Sequence, residues 1–142
     1  MPITFHPRAG LILQCDFSNG FKEPEMIKKR PVIVLTPPMK GRNDLTTVVC
    51  LSSVEPSNIM PYHYLLPKAS MPMTGHFQKG ETWVKGDMIY SVGHHRLEAI
   101  RTGKDYDGKR QYFNRVLGRD QMAEIYKCVL HGLNLGHLEL HI

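Results

Sequence analysis

Two polar residues at the ends of neighbouring predicted strands could act together on a ligand. Arg30 opens an apolar run, and Ser52 closes the β-branched run that follows it. If the connecting loop folds symmetrically about Lys40, paired residue numbers sum to about 81, and Arg30 faces Leu51 or Ser52 with Cβ atoms about 5 Å apart. A guanidinium and a hydroxyl then share one end of a hairpin. Guanidinium groups bind carboxylate and phosphate oxygens in a bidentate manner.

A lysine and an aspartate form a second polar pair on a later strand. Residues 81–92 are the longest strand candidate, and alternation places Trp83, Lys85, Asp87 and Ile89 on one face. Lys85 and Asp87 then lie about 7 Å apart. They could form a solvated ion pair, or an acid and base for catalysis.

The positions of these side chains depend on a series of short predicted strands. Runs 30–35 and 45–52 flank a loop with strong turn residues, which predicts an antiparallel hairpin. Residues 10–17 predict a first strand, and 18–29 an exposed loop that could close over a ligand. Residues 62–66, bounded by prolines, predict an edge strand. The remaining predictions are a loop at 68–80, a turn at 103–108 and a last strand at 111–117.

One stretch has the periodicity of a helix. In residues 120–133, Met122, Ile125, Tyr126 and Val129 recur at three- and four-residue spacing, with glycines beyond them. Strands come first and the helix last, which favours a mainly β (α+β) fold, a small barrel with a C-terminal helix. The 142 residues predict a single domain over 1–142.

Composition narrows the class of protein. The formal charge is +5 and the pI about 9.2, which favours an anionic partner, although many basic proteins bind nothing acidic. Three widely spaced cysteines, without a Cys-x-x-Cys motif, indicate buried thiols. No apolar run is long enough to span a bilayer, and the N-terminus lacks the core of a signal peptide, so we expect a cytoplasmic protein without a membrane partner.

Short motifs are spread over nearly the whole chain after Gly10. They are Gly10-Leu11-Ile12 with Cys15-Asp16-Phe17, the runs 29–35 and 48–52, Trp83-Val84-Lys85-Gly86-Asp87-Met88-Ile89, and Arg96-Leu97 with Gly108-Lys109-Arg110. In this order and at this spacing, the chain resembles the PemK/MazF (Kid-like) family of toxin endoribonucleases, also called mRNA interferases, from toxin-antitoxin systems.

The resemblance implies a fold and an activity. The fold would be an SH3-like β-barrel of the CcdB/MazF type with a C-terminal helix, usually a homodimer. The activity would be sequence-specific cleavage of single-stranded RNA without metal or other cofactor, through attack by the 2′-hydroxyl, neutralised by a cognate antitoxin protein. Products would be a 2′,3′-cyclic phosphate and a 5′-hydroxyl, and DNA would not be cut.

The resemblance also implies roles for particular residues. Arg30 stands at the family's catalytic arginine, and Ser52 where many members have a catalytic threonine. Asp87 stands at a proposed general base, and Lys85 at an arginine two residues before it. Glu25 falls where members often carry a loop glutamate.

Three positions depart from the family's pattern. Serine replaces threonine at Ser52 and lysine replaces arginine at Lys85, which keeps the hydroxyl and the cation. Pro24 stands where some members have a histidine, and His63 is a candidate to replace it. Together with His63, the expected RNA-binding residues are Glu25, Lys28 and Lys29.

Other interpretations remain open from the sequence. Arg30 could protect a strand edge or pair with Glu25, and Ser52 could be an ordinary strand-end residue. The barrel could be a non-catalytic module that binds nucleic acid or inhibits a protein, as CcdB does with gyrase. A metal-dependent hydrolase is a third possibility, since His137 and His141 are four residues apart and would share a face if the tail were α-helical.

Overall fold

The computed structural model describes all 142 residues, which form eight strands and two α-helices. The strands are β1 (Ile12–Asp16), β2 (Lys29–Val34), β3 (Leu45–Ser52), β4 (His63–Leu65), β5 (Trp83–Gly93), β6 (Leu97–Ala99), β7 (Arg101–Lys104) and β8 (Arg110–Tyr112). The helices are α1 (Gly75–Lys79) and α2 (Arg119–Gly132), with 3₁₀ turns at Lys68–Ser70, His94–Arg96 and Gly136–His141.

Six strands make one antiparallel sheet in the order β4-β5-β3-β2-β1-β6, and β7 and β8 pair separately. The mainly β fold with a C-terminal helix is confirmed. The predicted closed barrel is wrong for this structure, because the edge strands β4 and β6 do not pair with each other. Each has only three residues, and so offers few backbone groups for closure.

The central hairpin has nearly the predicted register. Val32 pairs with Cys50 and Val34 with Val48, so paired numbers sum to 82 rather than 81. Continued by two residues, this register sets Ser52 opposite Arg30. Both strands are almost fully buried at their centres, which agrees with the absence of alternation in their sequences.

Strand β5 is the longest strand, as predicted, but its register breaks in the middle. Val49 pairs with Ile89, whereas the next residue, Cys50, pairs with Lys85. Residues 86–88 therefore have no partner in β3 and form a bulge. Because neighbouring residues of β3 point to opposite faces, Lys85 and Ile89 do so too. The prediction that both share one face is wrong.

Two other predicted segments are corrected. Residues 68–80 were expected to be a loop, but they contain a 3₁₀ turn and the short helix α1, whose Phe77 is buried. The expected strand at 111–117 stops at Tyr112. Beyond it only a single bridge joins Val116 to Leu11, since β8 pairs with β7 and not with the main sheet.

Helix α2 covers the sheet at the bulge. Its Ile125 and Cys128 are buried, and the Tyr126 hydroxyl donates a 2.9 Å hydrogen bond to the Leu35 carbonyl. A Cβ on Gly86 would lie 2.5 Å from the Cys128 carbonyl oxygen, so helix and strand meet backbone to backbone. No helix in the structure has the length and apolar character needed to cross a membrane.

Candidate active site

A polar groove of about 430 Å³ lies where β3, β4 and β5 meet. Four of the predicted site residues line it: Ser52, His63, Lys85 and Asp87. Tyr62 and the segment 54–58, which connects β3 towards β4, complete its wall. The structure therefore brings together side chains that are up to 35 positions apart in the sequence.

Strand register explains this arrangement. Cys50 pairs with Val32 on one side and Lys85 on the other, and Lys85 pairs in turn with His63. Paired residues in an antiparallel sheet share a face, and Arg30 lies two residues before Val32. Arg30, Lys85 and His63 therefore project from the same face of the sheet.

Cys50 pairs with both Val32 and Lys85 and is buried on this same face. Burial is the main cause that raises the pKa of its thiol, Cys15 raises it further, and the charges of Lys85, Arg30 and Asp87 have smaller effects. Arg30 does not line the groove itself. The register of the central hairpin, continued beyond the pairing of Val32 with Cys50, sets Arg30 opposite Ser52, which does line the groove.

Arg30 keeps most of its hydrogen-bonding capacity. Its Nε donates to the Ile27 carbonyl oxygen at 3.2 Å, which orients the guanidinium, and its two terminal nitrogens have no partner in the chain. It forms no ion pair with Glu25, so that alternative is wrong here. A guanidinium fixed at one nitrogen and free at two can bind an oxyanion in a bidentate manner.

Lys85 and Asp87 are also unpaired. No carboxylate lies within 4.0 Å of the Lys85 ammonium, and neither residue makes a side-chain hydrogen bond, so the ion pair considered from the sequence is absent. Gly86, between them, donates its N–H to the Tyr62 carbonyl at 2.8 Å. The main chain therefore holds their spacing, and both side chains stay available to a ligand.

Ser52 and His63 hold the chain on either side of the wall segment 54–58 through hydrogen bonds to the main chain. The Ser52 hydroxyl oxygen accepts the Val54 N–H at 3.1 Å, and His63 Nδ1 accepts the Met60 N–H at 3.0 Å. The His63 N–H donates in return to the Met60 carbonyl at 2.9 Å. The Ser52 hydroxyl also donates a long hydrogen bond of 3.5 Å to the Val54 carbonyl oxygen. A ligand oxygen that approaches more closely can take the place of this long bond as the acceptor.

The pKa and the hydrogen bonding of His63 both favour its neutral form. Burial lowers its pKa, Asp87 opposes that shift and Lys85 adds to it. A backbone N–H can only donate, so Nδ1 must be the acceptor, and the neutral ring carries its proton on Nε2. His63 is therefore a hydrogen-bond donor through Nε2 rather than a free base.

The predicted RNA-binding residues of the loop, Glu25, Lys28 and Lys29, do not line the groove. Lys28 and Glu25 are exposed, and the Met26 N–H donates to the Tyr90 hydroxyl at 2.9 Å, which ties the loop to β5. The Lys29 ammonium lies 3.5 Å from Glu98, away from the groove residues. The Lys29 side chain is thus directed to Glu98 rather than to the residues that line the groove.

A family model matches residues 8–131, and its description is a PemK-like, MazF-like toxin of type II toxin-antitoxin systems. The chain belongs to this family. The match covers all the groove residues and both strands of the central hairpin, so the family membership and the site rest on the same part of the chain.

Two relatives from bacteria match over nearly their whole length. An uncharacterized protein of Haemophilus influenzae is 31% identical, over 97% of this chain and 98% of its own. The putative uncharacterized protein YifN of Escherichia coli is 29% identical, over 94% and 96%.

Solved structures of PemK/MazF-type toxins share the fold. MazF from Deinococcus radiodurans has a TM-score of 0.60 and 18% identity, over 92% of this chain and 98% of that one. An endoribonuclease from a mycobacterial species, in complex with its cognate antitoxin, has a TM-score of 0.59 and 18% identity, over 91% and 96%.

The C-terminal tail does not form the metal site that the spacing of His137 and His141 allowed. Residues 136–141 form a 3₁₀ helix, whose three residues per turn place His137 and His141 on different faces. His131 contacts Glu139 at 2.9 Å instead. No group of three or more His, Cys, Asp or Glu side chains is placed to hold a metal ion.

Sequence reasoning missed part of the groove. Tyr62 was predicted only as the first residue of a short strand, and residues 54–58 were given no role in the site. Neither has a periodic pattern, because hydrogen bonds from Val54 to Ser52 and from Met60 to His63 position this part of the chain. The one usable signal was its position, directly after the predicted catalytic Ser52.

Proposed function

We propose that the chain is the toxin of a toxin-antitoxin pair and an endoribonuclease that cleaves single-stranded RNA without a metal ion. The observation that carries the proposal is the polar groove, in which Lys85 and Asp87 are unpaired and adjacent to the hydroxyl of Ser52. Arg30, opposite Ser52 in the hairpin register, adds two guanidinium nitrogens that have no partner in the chain. Family membership and the likeness to solved endoribonucleases support the same conclusion.

Each step of the reaction has a group in this arrangement. The Asp87 carboxylate takes the proton of the ribose 2′-hydroxyl, and the 2′-oxygen forms a bond to phosphorus. Arg30 and Lys85 stabilise the additional negative charge on the phosphorane. The bond from phosphorus to the 5′-oxygen then breaks, and that oxygen takes a proton from the Lys85 ammonium.

Ser52 and His63 position the phosphate in this proposal. The Ser52 hydroxyl and the His63 Nε2–H each supply one donor to a phosphate oxygen. The products are a 2′,3′-cyclic phosphate and a 5′-hydroxyl. Since the attacking group is the 2′-hydroxyl, a DNA strand of the same sequence is not cut.

Partners follow from the family. We propose a homodimer, neutralised by a cognate antitoxin whose acidic segment is attracted to the net charge of +5. The loop residues Glu25 and Lys28 are exposed and are available to contact RNA outside the groove. Lys29 contributes only if it releases Glu98.

Incubation of the purified chain with a long unstructured RNA in excess EDTA tests the proposal. We expect discrete cuts with cyclic-phosphate ends, and no cuts in the matching DNA. Arg30→Ala and Asp87→Asn should each lower the rate by at least about 100-fold, since each removes a charge-stabilising or proton-transfer role.

Asp107→Asn is the matched control, because Asp107 is exposed on the turn between β7 and β8, far from the groove in the fold. It should cut at the wild-type rate. Uncut RNA from folded wild-type protein would overturn the proposal and favour a non-catalytic module. Cutting that survives Asp87→Asn would overturn the assignment of the base.

A further inference from the structure

The groove contains side chains that the cleavage steps do not use. Glu55 and Asn58 belong to its wall, together with Tyr62. Glu55 is exposed and has no hydrogen-bond or ion-pair partner in the chain. A free carboxylate beside a phosphate site repels the RNA backbone. In this groove, the Glu55 carboxylate can therefore interact favourably only with a ligand group that donates hydrogen bonds.

The wall segment is held at a fixed distance from the phosphate-binding side chains. Its first residue, Val54, is bonded to Ser52, and Met60, two residues beyond its end, is bonded to His63. A nucleotide whose phosphate contacts Ser52 and His63 would therefore place its base against residues 54–58. The nearest donors that such a base offers are on its Watson–Crick edge.

Tyr62 supplies an aromatic ring at the same place. Its ring lies 4.6 Å from the His63 ring at an interplanar angle of 62°, and its carbonyl accepts the Gly86 N–H. It is thus fixed from both its backbone and its side chain. Bases extruded from single-stranded RNA commonly stack on such rings.

We propose that Glu55, Asn58 and Tyr62 form a nucleobase site that selects guanine beside the scissile phosphate; this rests on the proposed function. Guanine presents two adjacent donors, N1–H and N2–H, that match the two oxygens of the Glu55 carboxylate. Uracil presents one N–H between two carbonyl groups, and the oxygens of these carbonyls are repelled by a carboxylate. Adenine and cytosine place an acceptor nitrogen beside their single amino group. Tyr62 stacks on the base, and the Asn58 amide bonds the guanine O6.

Cleavage of a randomised RNA library tests the site. Sequencing of the cut ends should show guanine enriched at one position within a few nucleotides of the cut. Glu55→Gln should lose that enrichment, by roughly 5- to 150-fold in relative rate, and keep the preferences at other positions. Glu81→Gln, an exposed glutamate outside the groove, should leave the profile unchanged. An unchanged profile in Glu55→Gln would overturn the proposal.

A binding measurement separates this site from the cleavage reaction. Titration of ¹⁵N-labelled protein with 3′-GMP should shift the amides of residues 54–62 at a lower concentration than 3′-UMP, and Glu55→Gln should abolish the difference. Tyr62→Ala should weaken 3′-GMP binding by about 5- to 150-fold. Guanine-selective binding without RNA cleavage would refute the nuclease and retain the base site, whereas cleavage with equal binding of both nucleotides would refute the site alone.

Discussion

The contact between Gly86 and helix α2 gives the sharpest test of how the fold holds the site. In Gly86→Ala, the new Cβ would lie 2.5 Å from the Cys128 carbonyl oxygen and 2.7 Å from that of Tyr62. Ordinary contact needs at least 3.4 Å, so strand or helix must move by roughly 0.9 Å. Both contacts are backbone atoms, which cannot rotate away as a side chain would.

Two measurable effects should follow from that shift. Overpacking of this kind costs about 1–3 kcal/mol, which lowers the melting temperature of a domain this size by about 4–12 °C. A displacement of Lys85 and Asp87 by nearly 1 Å should also lower the cleavage rate by about 100-fold.

Two assays test these effects. Circular dichroism monitors thermal unfolding, and RNA cleavage is measured below the melting temperature of the variant. Gly75→Ala is the control, because Gly75 begins α1 and a Cβ there meets nothing within 4 Å. It should be neutral or slightly stabilising. A Gly86→Ala variant with the wild-type melting temperature would refute the backbone contact, whatever its activity.

Three further predictions concern the surroundings of the groove. Tyr90→Phe removes the acceptor of the Met26 N–H, so hydrogen exchange should speed up at Met26 and stability should fall by about 0.5–1.5 kcal/mol; unchanged exchange would contradict the anchoring role. Burial lowers the pKa of folded His63 below its usual 6.5, so the unfolded chain binds more protons and stability falls as the pH drops through 6.5. Urea unfolding at pH 7.5 and 5.5 should therefore show a smaller loss for His63→Gln than for wild type, and equal losses would contradict the shift. Burial raises the pKa of all three cysteine thiols, so iodoacetamide at pH 8 should label them only at the rate of unfolding. Rapid labelling of the native protein would show that the thiols are accessible.

Local sequence patterns predicted much of the fold. The β-branched runs of β2 and β3, with turn residues between them, predicted their pairing to within one residue. The 3.6-residue period of α2 predicted its bounds to within one residue at each end. In both cases burial of one continuous apolar pattern determines the structure.

Features set by long-range contacts could not be predicted in this way. Gly86 within the strand run of β5 is a local signal for a bulge or for close approach of another backbone. The sequence does not show which residues leave the ladder, since the cause is the approach of α2 and of Tyr62 to Gly86. The groove wall at 54–58 could not be predicted either. The side chains that hold this part of the chain, Ser52 and His63, belong to β3 and β4. Helix α1 has only five residues and one buried side chain, Phe77, too little for a periodic signal.

Because Gly86 packs closely against α2, a movement of the helix would also move the main chain that lines the groove. A partner that pulled α2 away from the sheet, or pressed it inward, would act on the main chain between Lys85 and Asp87 without entering the groove. Inhibition from the outer surface of α2 would then leave RNA binding at the wall segment partly intact while it removed cleavage. If the chain is the toxin proposed above, an antitoxin could neutralise it in this non-competitive way, as well as by blocking the groove.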